Sequence, residues 1–163
     1  MSDSESSSYP EIAELIPHAE PMRLLSRVVA HDAESTTCLV EPADHVLFHD
    51  AEGRVPTWVG VEYMAQCIAV HAGMEVGEPG KAPRIGYLLG GRSLRFHRAS
   101  LPADGRIEVR AQHLRGRPGL GAWSFACEIV VQDGADGREI VAEGTLNVAL
   151  APEGAGVEAK AVP

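Results

Sequence analysis

The chain has 163 residues and a mass of 17.3 kDa, a size typical of one domain. Its formal net charge of −9 argues against general nucleic-acid binding. The sequence contains no apolar run long enough to span a bilayer and begins with no recognisable targeting peptide, so we expect a cytoplasmic protein without a membrane span.

The N-terminal third predicts a tail, a short helix and a hairpin. Residues 1–8 are polar and expected to be disordered, whereas 9–150 are expected to form a single domain. A short amphipathic helix follows the tail and ends at Pro17. Apolar and β-branched residues at 23–31 and 35–41 flank a turn-like segment, which predicts two paired strands.

One long apolar segment occupies the middle of the chain. After a loop at 42–56, the residues 57–74 predict a helix with Thr57 as its N-cap and Gly73 as its stop. The segment is apolar on nearly all sides. Such a helix must be surrounded by other elements instead of lying on a surface.

Four strand-like segments follow the helix, at 84–98, 106–115, 122–132 and 138–150. Gly90 and Gly91 interrupt the first of them and predict a bulge or a bend. The third alternates with period two, which places five apolar residues on one face: Trp123, Phe125, Cys127, Ile129 and Val131. The predicted fold class is α+β, with one curved antiparallel sheet around one central helix. Residues 151–163 are expected to form a disordered tail.

A single carboxylate, Glu62, lies near the start of the apolar helix. Acids are common in a first helical turn because they interact favourably with the helix dipole, but they are rarely surrounded by apolar residues. Gln66 lies one turn further on, where it is able to hydrogen-bond to Glu62 or to tie the helix to a neighbouring backbone. Among the histidines, His71 is expected in the core, and His18 is interpreted as a turn residue with proximity to a site as the alternative.

Three sequence blocks resemble the hotdog-fold 3-hydroxyacyl-[acyl carrier protein] dehydratases. They are IPHAEPMRLLSRVV (16–29), VPTWVGVEYMAQ (55–66) and IGYLLGGRSLRFHRASLPADGRIEV (85–109). The variant WVGVEYMAQ is most similar to the aryl-polyene-type dehydratases. The resemblance extends over 11–150 and implies a hotdog fold, with active sites at a dimer interface near the N-terminus of the helix.

The resemblance also implies the catalytic residues. The family's acid position falls on Glu62. The family's catalytic histidine lies fourteen residues before that acid, where this chain has Phe48, and His49 is one residue closer; His45 is the alternative base. A metal site at His45 and His49 is a further interpretation of the same histidines.

Dehydration of a 3-hydroxyacyl thioester requires a base, an acid and a donor for the enolate oxygen. Histidine suits the base, and a carboxyl group whose pKa is raised by burial suits the acid. Free backbone N–H groups at the start of the helix, at Trp58 and Val59, are predicted to bind the oxyanion. Gln66 is expected to support Glu62. The chemistry requires neither a metal nor an organic cofactor.

Arginines are concentrated in the middle of this acidic chain, with eight between residues 82 and 117. They either face solvent or form a docking surface for an acidic partner. The resemblance implies that the partner is an acyl carrier protein with its phosphopantetheine arm, and that Arg92, Arg95 and Arg98 contact it.

Three functions are compatible with these sequence features. The first is a dehydratase of fatty-acid-like or polyene synthesis, acting as a homodimer or as a heterodimer with another hotdog subunit. The second is a catalytically weak subunit that binds acyl chains or carrier protein beside an active dehydratase. The third is a hotdog acyl thioesterase, in which the carboxylate activates water or attacks the substrate directly.

Overall fold

The computed structural model describes residues 8–42, 46–133 and 137–153, and its elements follow the predicted order. Both predicted tails lie mostly outside these ranges, and so does His45. The elements are α1 (Ile12–Leu15), β1 (Arg27–His31), β2 (Ser35–Val40), β3 (Val55–Pro56), a 3₁₀ turn (Thr57–Val59), α2 (Gly60–Val76), β4 (Gly86–Phe96), β5 (Ser100–Leu101), β6 (Arg106–Arg115), β7 (Trp123–Asp133) and β8 (Gly137–Leu150).

The main sheet has six antiparallel strands in the order β1-β2-β6-β7-β8-β4. Helix α2 packs against β2, β6, β7 and β8. The two short strands β3 and β5 pair separately, and the Thr57 N–H donates to the Ala99 carbonyl at 3.0 Å, which fixes the chain where the helix begins. An antiparallel sheet around one long helix is the hotdog fold predicted from the sequence.

The core lies between the sheet and α2. The alternation predicted for β7 is confirmed, since all five of its apolar residues on that face are buried. They meet buried residues of α2, including Met64, Cys67 and Ile68. Each large side chain buried in this way contributes about 1.5–3 kcal/mol relative to an exposed one, so this layer holds the helix inside the sheet.

The predicted helix boundaries need correction at both ends. Thr57 begins a 3₁₀ turn, and its buried hydroxyl makes no capping hydrogen bond. Gly73 does not end the helix, which continues to Val76 and closes with a hydrogen bond from the Gly77 N–H to the Gly73 carbonyl. A Cβ at residue 73 would collide with the Leu15 carbonyl oxygen, so this glycine permits the close approach of α1.

Strand β4 forms one edge of the sheet, and all eleven of its residues are exposed. Its pairing with β8 shifts register between Leu88 and Gly90, which confirms the predicted bulge, and again between Arg92 and Arg95. The second bulge adds an extra residue, so Arg92 and Arg95 lie on the same side of the strand although they are three positions apart. Five large apolar side chains on β4 remain exposed: Tyr87, Leu88, Leu89, Leu94 and Phe96.

His71 is buried in the core, as predicted, and belongs to a hydrogen-bonded chain. Its Nδ1 lies 2.9 Å from the Thr36 hydroxyl, which lies 2.8 Å from Nδ1 of His31, and His31 Nε2 is 3.1 Å from a Glu75 oxygen. The rings of Trp123 and Phe125 pack around His71. Burial among these groups lowers the pKa of His71 to about 4, because the charged imidazole loses its hydration.

The depressed pKa of His71 predicts a loss of stability in mild acid. An unfolded histidine titrates near 6.5, so between that pH and about pH 4 the unfolded state binds the extra proton. The free energy of unfolding, measured with urea, should therefore fall by up to about 3 kcal/mol across this window. In His71→Asn, which keeps a polar partner for Thr36, the fall should be smaller. His97→Asn changes an exposed histidine and should behave like the wild type; an undiminished fall in His71→Asn would contradict the assignment.

Candidate active site

Glu62 lies in the first turn of α2, and Gln66 lies one turn later on the same face. The Gln66 amide nitrogen donates to Glu62 Oε1 at 2.9 Å and to the Met22 carbonyl at 2.7 Å. The Leu24 N–H donates to the Gln66 amide oxygen at 2.9 Å. Both roles considered for Gln66 therefore occur together: it supports Glu62, and it ties the helix to the segment before β1.

His18 lies next to Glu62, although the sequence indicates first a turn residue and only second a residue of a site. Its Nε2 lies 3.5 Å from Glu62 Oε1, and the two side chains are about one third exposed, at 30% and 36%. Arg23 Nε donates to the His18 carbonyl at 3.2 Å, which fixes the backbone there. The available signal was the position of His18 inside the first block of resemblance, but its distance from Glu62 in the sequence hid the contact.

The environment of Glu62 lowers the pKa of its carboxyl group. The hydrogen bond from His18 is the largest cause; partial burial acts in the opposite direction, and the hydrogen bond from Gln66 reinforces the lowering. The expectation that burial would raise this pKa is therefore wrong for the isolated chain. Its premise was an apolar surrounding, whereas two polar side chains face the carboxylate.

A cavity of about 590 Å³ extends along one face of α2 from the Glu62–His18 pair. Its helical wall is built mostly of small residues between Glu62 and Val76, including Ala65, Ala69 and Gly73. At a rise of 1.5 Å per residue, this stretch of helix is about 21 Å long. Tyr87, Leu88 and Trp123 contribute apolar surface to the walls. Charged residues line the cavity beyond the end of α2: Glu78, Lys81, Arg84 and Glu153.

Within the described part of the chain, no hydrogen bond or ion pair joins His49 to Glu62, whose partners are His18 and Gln66. His49 is absent from the residues that line the cavity, and its Nε2 is buried with no hydrogen-bond partner among the described residues. Trp58 and Val59 lie in the 3₁₀ turn before α2, where backbone N–H groups lack partners from a preceding helical turn. The Trp58 side chain is 62% exposed and contacts the ring of Phe48.

The three predicted carrier-binding arginines differ in their surroundings. Arg95 lies 3.6 Å from Glu143, and Arg98 lies 3.5 Å from Glu139, both on β8. Arg92 makes no ion pair within the described part of the chain. The surface along β4 is therefore partly neutralised, and Arg92 has the least compensated charge of the three.

The described residues contain neither a metal-binding cluster nor a membrane-spanning helix. In the ranges 8–42, 46–133 and 137–153, no three His, Cys, Asp or Glu side chains are grouped so as to hold a metal ion. Over the same ranges, no helix has the length and hydropathy needed to cross a membrane.

A hotdog fold with a hydrogen-bonded carboxylate beside an elongated cavity agrees with the class that the sequence resembles, the hotdog dehydratases. The family model of the ApeP-like dehydratases, described as ApeP dehydratase, matches residues 10–158, and the chain belongs to this family.

Individual proteins agree with this membership. The chain is 28% identical, over 77% of its length and 85% of the relative, to a 3-hydroxyacyl-[acyl-carrier-protein] dehydratase FabZ of Roseobacter denitrificans. It is similar to a chain of the dehydratase heterocomplex ApeI:P of Xenorhabdus doucetiae, with a TM-score of 0.76 and 28% identity over 89% of this chain and 93% of that one. An acyl-CoA hydrolase of Agrobacterium tumefaciens, 18% identical with a TM-score of 0.54 over 75% of this chain and 44% of that one, shares the fold alone.

Proposed function

We propose that this chain dehydrates a 3-hydroxyacyl thioester, carried on acyl carrier protein, to the 2-enoyl thioester in fatty-acid-like or polyene biosynthesis. The observation that carries the proposal is the position of Glu62, a carboxylate held by Gln66 on the wall of an elongated cavity. Because the chain belongs to the ApeP-like dehydratases, we assign dehydration as the reaction in which this carboxylate acts. Its role is to protonate the departing hydroxyl group.

The proposed site is completed by a second hotdog subunit. His49 lies away from the cavity of its own chain, so a His49–Glu62 pair would form between subunits; His45 remains the alternative base. The exposed apolar side chains of the β4 edge favour such an assembly, because unpaired apolar edges are otherwise prone to aggregate. The similar heterocomplex ApeI:P supports a heterodimer as one form of it.

The remaining roles are part of the same proposal and rest on the family and on general chemistry, because the turn residues and arginines concerned do not line the cavity of their own chain. The N–H groups of Trp58 and Val59 bind the enolate oxygen, because the start of a helix favours negative charge. The acyl chain lies along the small residues of α2. Arg92, with Arg95 and Arg98 beside it, attracts the acidic carrier protein; the exposed ion pairs of the latter two are weak enough to be exchanged for new ones.

A second candidate is a catalytically weak subunit that binds acyl chains beside an active partner. One observation favours it: Nε2 of His49 is buried and has no hydrogen-bond partner among the described residues, which is unlike a base ready to meet substrate. A thioesterase is the third candidate, and only the shared fold supports it.

One turnover experiment separates these candidates. The purified chain, an ApeI-type hotdog subunit and a mixture of the two are each given a 3-hydroxyacyl carrier protein, and the acyl group is analysed by mass spectrometry. Loss of one water by this chain alone supports the dehydratase. Loss in the mixture, but not with either subunit alone, supports a two-subunit site. If Glu62→Gln and His49→Ala in this chain leave the mixture fully active, the weak-subunit function is correct. Release of free acid would favour the thioesterase, and unchanged substrate in all samples would overturn the proposal.

The cavity predicts a limit on chain length. Ala69→Leu adds bulk to the middle of the cavity wall, so turnover of long acyl chains should fall roughly 10-fold or more. Short chains that end before residue 69 should be converted at nearly the wild-type rate. Ala69→Ser, which hardly changes the volume, is the control. An equal loss for short and long chains would show that the acyl group does not lie along this face.

A further inference from the structure

The contact between His18 and Glu62 is more than a neighbouring charge, because both side chains line the same cavity. The His18 and Gln66 contacts reach the same carboxylate oxygen, Oε1. The other oxygen, Oε2, accepts no hydrogen bond within the described part of the chain. The side chain is thus held through one oxygen, and the second is available to a bound molecule.

This arrangement raises a difficulty for Glu62 as the acid of the proposed reaction. A general acid must carry a proton when the substrate binds, but the interactions around Glu62 lower the pKa of its carboxyl group and favour the ionised form. The hydrogen bond from His18 is the largest of these interactions. A proton for the leaving hydroxyl group must therefore come from a neighbour, and imidazole is the side chain that gains and loses a proton near neutral pH.

We propose that His18 is the positioning residue that keeps this proton at the site and shares it with Glu62. The shared proton lies between His18 Nε2 and Glu62 Oε1, which are 3.5 Å apart. An acyl chain that fills the cavity removes water from the pair. Exclusion of water removes more hydration free energy from charged groups than from neutral ones. The proton therefore moves to Glu62, and both side chains are then neutral.

The reaction balances with this one shared proton. The base removes the C2 proton, and the C2–H electron pair becomes the new double bond. The C3–O bond breaks, its electrons leave with the oxygen, and Glu62 transfers the shared proton to that oxygen, so that water departs. The proton taken by the base later returns to the Glu62–His18 pair through solvent, and the enzyme is restored.

Five other charged residues line the cavity that His18 and Glu62 share: Glu14, Glu78, Lys81, Arg84 and Glu153. Among the described residues, Glu62 is the one that forms an ion pair with His18. Arg23 binds the His18 carbonyl through its Nε, and its NH1 group lies 3.3 Å from Glu20, which offsets its charge. The Nδ1 atom of His18 is buried and makes no hydrogen bond to the described residues. Glu62 is therefore the group that decides where the proton rests.

The test is the pH profile of kcat/KM for the assembled enzyme with His18→Gln, since glutamine keeps a donor near Glu62 but cannot carry the proton. We expect a loss of roughly 10–100-fold at pH 7–8, which diminishes toward pH 5 as Glu62 gains a proton from solvent. The control is His97→Gln, because His97 lies 3.7 Å from Glu143 on the sheet, away from the cavity. A loss of equal size at every pH, or no loss, would overturn the role of His18.

This inference rests on the proposed dehydration, so a second readout separates the two. The Glu62 carboxyl group is titrated by carbon-13 NMR in the wild type and in His18→Gln, without any turnover. A higher carboxyl pKa in His18→Gln supports the shared proton even if no substrate is dehydrated; an unchanged carboxyl pKa overturns it even if dehydration is found. The same spectra verify that the variant is folded.

Discussion

Glu62→Gln should lower the rate of dehydration by roughly 10²–10⁴-fold, the usual contribution of a general acid. Glutamine has nearly the size of glutamate, and its carbonyl oxygen is able to accept the hydrogen bond from Gln66 that Glu62 Oε1 accepts now. The fold and the cavity should therefore remain, while the group that carries the transferable proton is lost. The rate is measured as loss of water from a 3-hydroxyacyl carrier protein by the assembled enzyme.

A matched control is available in the same cavity. Glu14 also lines it but contacts neither His18 nor Gln66 among the hydrogen bonds of the described residues. Glu14→Gln removes the same charge at a similar place, so it should leave the rate within about 2-fold. If Glu14→Gln and Glu62→Gln lose activity equally, the cavity depends on its overall charge and Glu62 has no individual role in proton transfer.

The parts of the fold that have a strong local pattern could be predicted from sequence. The apolar segment predicted α2, and the period-two alternation predicted the buried face of β7. The strands β3 and β5 were missed because two residues are too few for any period. Gly73 was misinterpreted as a stop because its small size serves a close contact with Leu15, and a contact between distant segments leaves no local pattern.

The same distinction applies to the candidate site. The spacing of four residues between Glu62 and Gln66 made their contact predictable, since such positions lie on one helical face. The approach of His18 depends on how the segment after α1 is folded over the helix, and Gln66 holds that segment in place through its bonds to Met22 and Leu24. The direction of the pKa shift at Glu62 follows from these long-range contacts, which is why burial alone gave the wrong sign.

Gln66→Leu should lower the free energy of unfolding by about 1–3 kcal/mol. Leucine fills most of the same space, but it leaves the buried N–H of Leu24 and the carbonyl of Met22 without their hydrogen bonds. An unsatisfied buried polar group costs about 1–3 kcal/mol. The Leu24 N–H is such a group, whereas the bond to the Met22 carbonyl is only partly buried, so water is able to replace it. Urea unfolding measures the change. Gln112→Leu, at an exposed position of β6, should alter stability by no more than about 0.5 kcal/mol.

The Gln66 substitution also separates packing from positioning. If the hydrogen bonds of Gln66 to Glu62, Met22 and Leu24 (the Gln66 clamp) matter only for stability, the Gln66→Leu variant should turn over substrate at the wild-type rate wherever it stays folded. If the clamp also fixes Glu62 and the His18 segment, activity should fall together with stability, and the pH profile should change because the contact between His18 and Glu62 is loosened. Wild-type stability in Gln66→Leu would show that neither backbone bond contributes, because the two unpaired groups would then be hydrated or re-paired. The second outcome is expected, since one amide joins the carboxylate to the segment that carries its histidine neighbour.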